Sequence, residues 1–366
     1  MTESANSETP TILGPQDVTA AWLTGCLQRS GHTDAVVRSF ESTRIGTGQI
    51  GMCVRYDLDL DGGDESTPVS LVGKFASDDP TSRHTGVMLG NYIKEVCFYR
   101  ELQHRLTIST PRCYYAEIEG QGPEFALLLE DLAPGEQGDQ LAGCTPAVAR
   151  AAVLELVGLH APSWCDEGLR NTEWIGEPSE PRIALGRAMY QAQLPGFVER
   201  YGPRLEADEV EIIEQVAAST GAPFELLGSP YSLVHVDYRL DNLLIDSRSD
   251  PPKISAVDWQ SITLGNPLSD VAYFLGAGLL PEVRRDVEHE IVRAYHAALE
   301  SAGVSGYAWQ DCWNDYRRST FSGFAVTVIA SMMVQQTERG DDMFVAMARR
   351  HSRHALDLGA QEFLSV

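Results

Sequence analysis

The chain has no C-x-x-C pair, and its seven cysteines, at 26, 53, 97, 113, 144, 165 and 312, are scattered and odd in number. That argues against a zinc site and a disulfide framework, and for a reducing compartment. Also missing are a G-x-S-x-G elbow and an H-E-x-x-H pair, so a serine or zinc hydrolase has no support. Basic residues are few, 28 against 52 acidic ones, for a formal net charge of −24. A field of that sign repels nucleic acid and anionic membrane surfaces, so neither is expected as a partner. It would attract a cationic ligand, although an acidic, solubility-tuned surface is the plainer reading. The opening MTESANSETP lacks a basic region followed by an apolar core, so no signal peptide is expected. The most apolar late stretch, 324–334, is too short to span a bilayer. A soluble, cytoplasmic protein is the expectation.

What is present is an ordinary globular balance: 366 residues, 43% hydrophobic and 22% charged, enough for one large domain or two coupled lobes. Gly14-Pro15 opens an amphipathic stretch to about residue 29, with Val18, Trp22, Leu23 and Leu27 at helical spacing. From about 36 to 72 the pattern is that of strands. Residues 53–60 alternate inward and outward, and Asp61-Gly62-Gly63-Asp64 supplies a hairpin turn. A third strand over 70–75, a long helix over about 84–106, and strands over 112–117 and 125–130 follow. Leu132-Ala133-Pro134-Gly135 reads as a linker. Beyond it, Thr145-Pro146 caps a helix to about residue 160. Further helices are predicted near 182–200, 207–219, 267–279, 282–302, 308–335 and 340–357, interrupted by short strands around 231–235, 242–246 and 253–257. The expectation is a bilobal α+β fold. An N-terminal lobe, 1–131, carries a small antiparallel sheet and a long helix; a mainly helical C-terminal lobe, 132–366, follows, with a cleft between them.

The chemistry concentrates in Leu233-Val234-His235-Val236-Asp237-Tyr238-Arg239-Leu240-Asp241-Asn242, followed by Ala256-Val257-Asp258-Trp259. Phosphoryl transfer needs a carboxylate to orient the attacking hydroxyl and take its proton, and oxygen ligands for magnesium at the phosphates. The spacing H-x-D-x-x-x-x-N, a hairpin and then an Asp meets that need. Asp237 is the candidate base; Asn242 and Asp258 are the candidate metal ligands. The competing reading is two polar loop residues and an acidic strand end. Far upstream, Lys74 lies in Leu71-Val72-Gly73-Lys74-Phe75, where a lone buried lysine is costly unless paired. Glu95 is its candidate partner, inside a helical stripe of Met88, Tyr92, Tyr99, Leu102 and Leu106. Such a pair positions the α- and β-phosphates in kinases; two solvated ends are the alternative.

Gly46, Thr47, Gly48, Gln49 and Gly51 form a glycine-rich loop ahead of a strand, and glycines let backbone N–H groups approach phosphates. Many hairpins contain glycines too. It is not a dinucleotide fingerprint, because it opens a strand and not a helix. The strand at 125–130 runs into the linker, where main-chain groups of Glu130 and Leu132 are candidates to meet an adenine edge; an ordinary sheet edge is the alternative. His160, on an apolar helix, reads as a satisfied core histidine.

Taken in order, glycine loop, Lys, Glu, linker, H-x-D-x-x-x-x-N and Asp follow kinase sequence. HVDYRLDNLLI and the later Gly265-Asn266-Pro267-Leu268-Ser269-Asp270 resemble the aminoglycoside phosphotransferase and choline kinase superfamily. Within it, IGTGQIG, EVCFYREL, LLLEDL and Leu159-His160-Ala161 before Trp164 resemble the ecdysteroid-kinase-like branch. The resemblance spans about residues 15–355. It implies a protein-kinase-like fold, ATP and Mg²⁺ as cofactors, and a small-molecule hydroxyl as acceptor. It also implies that His235 and Asp270 support the catalytic loop. An aminoglycoside-type antibiotic kinase and a nucleotide-binding pseudokinase are the alternatives. Two departures stand out. The usual H-G-D reads His235-Val236-Asp237, so valine is strained if that position needs positive φ; a small rearrangement is expected. Asp258 is followed by Trp259-Gln260, where relatives often carry an acid at the third place.

Overall fold

A computed structural model describes residues 14–46, 50–176, 178–225, 227–334 and 336–365. The chain divides into two compact units: 1–102 with 111–132, and 103–110 with 133–366.

The first unit is built on a five-stranded sheet. Its strands are β1 (Val36–Ile45), β2 (Gly51–Asp61), β3 (Ser70–Ala76), β4 (Cys113–Ile118) and β5 (Phe125–Glu130), in the order β1-β2-β3-β5-β4, with every neighbouring pair antiparallel. Successive side chains of a strand face opposite ways, and both faces here are covered. Leu71 and Phe75 of β3 and Ala126 and Leu128 of β5 pack with Leu23, Cys26 and Leu27 of the helix Ala20–Arg29. Thr19 caps that helix by accepting the Trp22 N–H at 3.2 Å. Lys74 alternates with Phe75 and so lies on the other face, beside Leu127.

The long helix predicted over 84–106 is instead broken. Pro80–Met88 forms one helix, Asn91–Cys97 a second, and Phe98–Leu102 a π turn. Gly90, at φ +68°, makes the break, a conformation that costs glycine no side-chain clash. Met88, placed by its spacing in the apolar stripe, is 70% exposed, while Tyr92, Tyr99 and Leu102 are buried. The stripe therefore starts only after the break.

The second unit is mainly helical. Glu180–Tyr201, Ala207–Ala218, Leu268–Gly278, Pro281–Ser301 and Glu338–Asp357 are its long helices. Tyr190, Phe197, Ile212, Ile213, Phe324 and Phe344 belong to one core shared by Glu180–Tyr201, Ala207–Ala218, Glu338–Asp357 and the short helix Ser322–Ala325. The helix predicted over 308–335 is segmented into Trp309–Arg318, Ser319–Phe321, Ser322–Ala325, a π turn Val326–Ala330 and Ser331–Met333. Two small antiparallel sheets are set into this framework. One holds β6 (Glu136–Gln137), β8 (Leu243–Asp246) and β9 (Lys253–Ala256); the other holds β7 (Ser232–Val234) and β10 (Thr263–Gly265). Among the described residues no helix is long and apolar enough to cross a membrane.

Candidate active site

In the first unit, Lys74 Nζ donates to Glu95 Oε1 at 2.7 Å, and the two residues are only 8% and 2% exposed. β3 supplies the lysine and the helix Asn91–Cys97 the glutamate. Gly51, opposite Ala76 on β2, lies against the lysine stem: a Cβ there would sit 2.9 Å from Lys74 Cε. Gly46 takes φ +71° at the end of β1. Thr47, Gly48 and Gln49 lie outside the described residues. At the end of β5 the Glu130 N–H donates to the Arg112 carbonyl at 2.8 Å, which narrows that main-chain candidate to its carbonyl. Asp131, just beyond, accepts from Ser70 at 2.8 Å and pairs with Arg55, fixing the chain ahead of Leu132.

In the second unit, β7 leads into His235, Val236 and Asp237, a turn over Leu240–Asn242 leads into β8, and β9 ends just before Val257 and Asp258. The N–H of Val257 donates to the Asn242 carbonyl at 3.0 Å, so the hairpin brings the Asn242 and Asp258 segments side by side. Val236 sits at φ +73°. The position does take positive φ, so the valine carries the strain its branched side chain implies there. Asp270 explains how. Only 1% exposed near the start of the helix Leu268–Gly278, it accepts the His235 N–H at 2.7 Å and the Val236 N–H at 2.9 Å, one on each carboxylate oxygen. His160, fully buried, contacts Asp270 Oδ2 through Nε2 at 3.4 Å and the Tyr295 hydroxyl through Nδ1 at 2.7 Å. It is a satisfied core histidine that also steadies this carboxylate. His235 bonds the Val257 carbonyl through Nε2 at 3.0 Å and packs on Trp259, tying the Asp237 loop to the Asp258 loop.

Asp237 itself is held on both oxygens. Oδ1 accepts from the Tyr273 hydroxyl at 2.9 Å and from Arg239 Nε at 3.0 Å, and Oδ2 accepts from Asn242 Nδ2 at 2.8 Å. Burial, reinforced by the Asp237 charge, pushes the Tyr273 phenol well above its ordinary range, so it stays a donor. Burial alone would favour a neutral Arg239, but Asp237 and Asp241 beside it hold the guanidinium charged.

The donor chemistry at Asn242 and Asp258 fits a hard divalent cation. Asn242 Nδ2 is spent on the carbonyl and the carboxylate of Asp237, both at 2.8 Å, which orients the amide and leaves Oδ1 as the atom it has available for a cation. With the Asp258 carboxylate this makes two protein oxygens, the small share a magnesium ion takes when phosphates and water supply the rest. Asp258 adopts φ +66°, which aspartate tolerates. Gln260 stands in the third place and donates to Asp258 Oδ2 at 3.3 Å, so here that position supplies a donor and not an acid.

Residues 90–309, well over half of the chain, match the model of the phosphotransferase enzyme family. The chain belongs to that family.

Solved structures show the same fold around this phosphotransferase. A choline kinase from Cryptosporidium parvum Iowa II is 11% identical, with 93% of this chain and 95% of that chain covered and a TM-score of 0.57. The wild-type aminoglycoside 2'-phosphotransferase-IIIa in its GDP complex is 14% identical, covering 91% and 99%, with a TM-score of 0.51. Among curated proteins, an Arabidopsis thaliana protein named probable acyl-CoA dehydrogenase IBR3 is 28% identical over 143 residues, 39% of this chain. Those residues are 16% of the Arabidopsis protein, so the chain spans about one sixth of that relative's length.

Tyr273 and Arg239 of this phosphotransferase stand outside the motif positions that the sequence singles out. Both carried a usable signal. Tyr273 follows Asp270 by three residues in one helix, which places the two on neighbouring positions of the same face. Arg239 lies two residues from Asp237 and two from Asp241, within reach of both.

Proposed function

We propose that the chain transfers the γ-phosphoryl group of ATP to a hydroxyl of a small molecule, with magnesium as the metal. Asp237 takes the proton of the attacking hydroxyl while its oxygen bonds to the γ-phosphorus. The bond from that phosphorus to the bridging oxygen breaks, and ADP leaves. Lys74 neutralises the α- and β-phosphates, Glu95 positions Lys74, and the glycine loop of Gly46 to Gly51 contributes backbone N–H groups. The Glu130 carbonyl and Leu132 main chain meet the base. Asn242 Oδ1 and the Asp258 carboxylate hold the metal, which when bound neutralises charge building on the phosphate oxygens. His235 and Asp270 keep the Asp237 loop in its left-handed form.

The observation that carries this reading is the grip on Asp237, oriented by Asn242 and by an Asp270-held loop inside an H-x-D-x-x-x-x-N run. Membership of the phosphotransferase family supports the reaction class, and positioning plus charge neutralisation suffice for a loose phosphoryl-transfer transition state.

Three acceptor classes follow from different observations. The net charge of −24 favours a cationic acceptor such as an aminoglycoside. The resemblance of EVCFYREL and LLLEDL to the ecdysteroid-kinase-like branch favours a neutral, lipophilic alcohol. The likeness to a stretch of a protein named for acyl-CoA chemistry adds hydroxyacyl thioesters to the candidates. A coupled ADP-release screen with sterols, hydroxyacyl compounds, amino alcohols, sugars and aminoglycosides separates them. ADP release that rises with one class identifies the acceptor. A chain that binds ATP yet releases no ADP with any of them, or with water, is a nucleotide-binding pseudokinase instead.

A further inference from the structure

The carboxylate of Asp237 is held asymmetrically. A carboxylate oxygen has two lone-pair sites, and both on Oδ1 are filled, one by the Tyr273 hydroxyl at 2.9 Å and one by Arg239 Nε at 3.0 Å. Oδ2 has a single donor among the described residues, Asn242 Nδ2 at 2.8 Å. Both donors on Oδ1 are themselves fixed. Arg239 Nη1 donates to Asp241 at 2.5 Å, and Asp241 Oδ1 in turn accepts the Gln140 N–H at 3.1 Å. Tyr273 is 1% exposed, and its ring is stacked on His351 with centroids 5.4 Å apart and planes within 16°.

The stack has been made room for. A Cβ on Gly276 would lie 2.8 Å from His351 Nδ1, and one on Gly323 would lie 2.2 Å from His351 Nε2. Two glycines on two different helical segments thus leave the slot in which the imidazole lies flat against the tyrosine. His351 is buried, and among the described residues neither ring nitrogen has a hydrogen-bond partner. Its neighbours Ile213, Phe324, Val328 and Ala348 border a gap that admits no water. An imidazole left unsatisfied costs stability, and the contact obtained in return is the one with Tyr273.

From this geometry we infer that Tyr273 is a positioning residue for the transfer reaction, with His351 holding its ring in register. Together with Arg239 it saturates Oδ1, so that Oδ2, with one lone pair left, is the atom that meets the acceptor hydroxyl and takes its proton. The inference rests on the proposed phosphotransferase role of Asp237 and adds which oxygen acts and what holds it.

The test is steady-state ADP release from ATP and magnesium with water as acceptor, in the wild-type chain and in Tyr273→Phe, His351→Ala and Asp237→Asn. Tyr273→Phe keeps the ring and its stack and loses only the hydroxyl. Losing one hydrogen bond to a charged group predicts a fall in kcat of ~10- to 100-fold with KM for ATP unchanged. His351→Ala, which frees the tyrosine ring, is expected to lower kcat in the same sense. A purely structural tyrosine would instead alter the melting temperature and leave kcat untouched. If Asp237→Asn abolishes turnover while Tyr273→Phe keeps the wild-type kcat, the positioning role is wrong and the functional reading stands. If Asp237→Asn turns over like the wild type, or the wild type releases no ADP with water or with any acceptor of the screen, both are wrong together.

Discussion

Asp270 holds Val236 in a backbone conformation that valine avoids: its Oδ1 accepts the Val236 N–H at 2.9 Å while Val236 stands at φ +73°. The left-handed region costs an L-residue roughly 1–2 kcal/mol, and a branched side chain makes it worse. The second carboxylate oxygen accepts the His235 N–H at 2.7 Å, so two charge-assisted bonds offset one strained residue.

Replacement of the valine therefore gives a measurable gain or nothing. Val236→Gly removes the strain at the cost of greater freedom in the unfolded chain. Its unfolding free energy, from urea titration, is expected to lie between the wild-type value and about 1 kcal/mol above it. Turnover is retained. A loss greater than 1 kcal/mol would show that the half-buried valine side chain contributes more than its backbone costs.

The buried pair of Lys74 and Glu95 makes a second prediction. Removing one partner leaves the other charge buried, which costs about 3–5 kcal/mol. Lys74→Met and Glu95→Leu should each destabilise on that scale. The double variant, which buries no charge, should be clearly more stable than either single one. Singles whose losses simply add in the double variant would mean that the two charges are not coupled.

How much of this was legible in the sequence depends on what fixes each element. The order and spacing of Lys74, Glu95, Asp237, Asn242 and Asp258 are visible because polar residues at set intervals interrupt apolar runs. The break at Gly90 was not, since a single glycine inside a helical pattern is usually tolerated. The segmentation after Arg318 was missed for the opposite reason: Phe321, Phe324 and Val328 recur at three- and four-residue steps, a helical period that runs on into the π turn. β6 and β10, two and three residues long, exist only through their pairing with β8 and β7 and carry no local pattern. Tyr273 as a partner of Asp237 depends on where a helix packs against a loop, 36 residues apart in sequence.

Acid should loosen the helical unit. Burial pushes the His351 imidazole down to about 3 from its ordinary 6.5. The unfolded chain therefore binds a proton below pH 6.5 that the folded chain refuses until near pH 3. Stability from this group is complete above pH 6.5 and falls between those values, by up to about 1.4 kcal/mol per pH unit. His354, also lowered by burial, acts in the same direction. Burial alone would raise the Glu288 carboxyl, yet the hydrogen bond from His354 and the guanidinium of Arg284 hold it at about 2. Its contribution is present above pH 4.5 and is lost as pH falls towards 2. Urea midpoints measured from pH 8 to pH 5 should therefore decline, and His351→Phe should decline less steeply. Parallel curves would place the acid sensitivity elsewhere.

The most direct test of the account is magnesium-dependent ADP release by Asp237→Asn, measured beside ATP binding by the same protein. The account predicts that ATP still binds within a few-fold of wild type while turnover falls by about 10²- to 10⁴-fold, the share a positioned proton acceptor contributes. Asp237→Asn releasing ADP at the wild-type rate would contradict it.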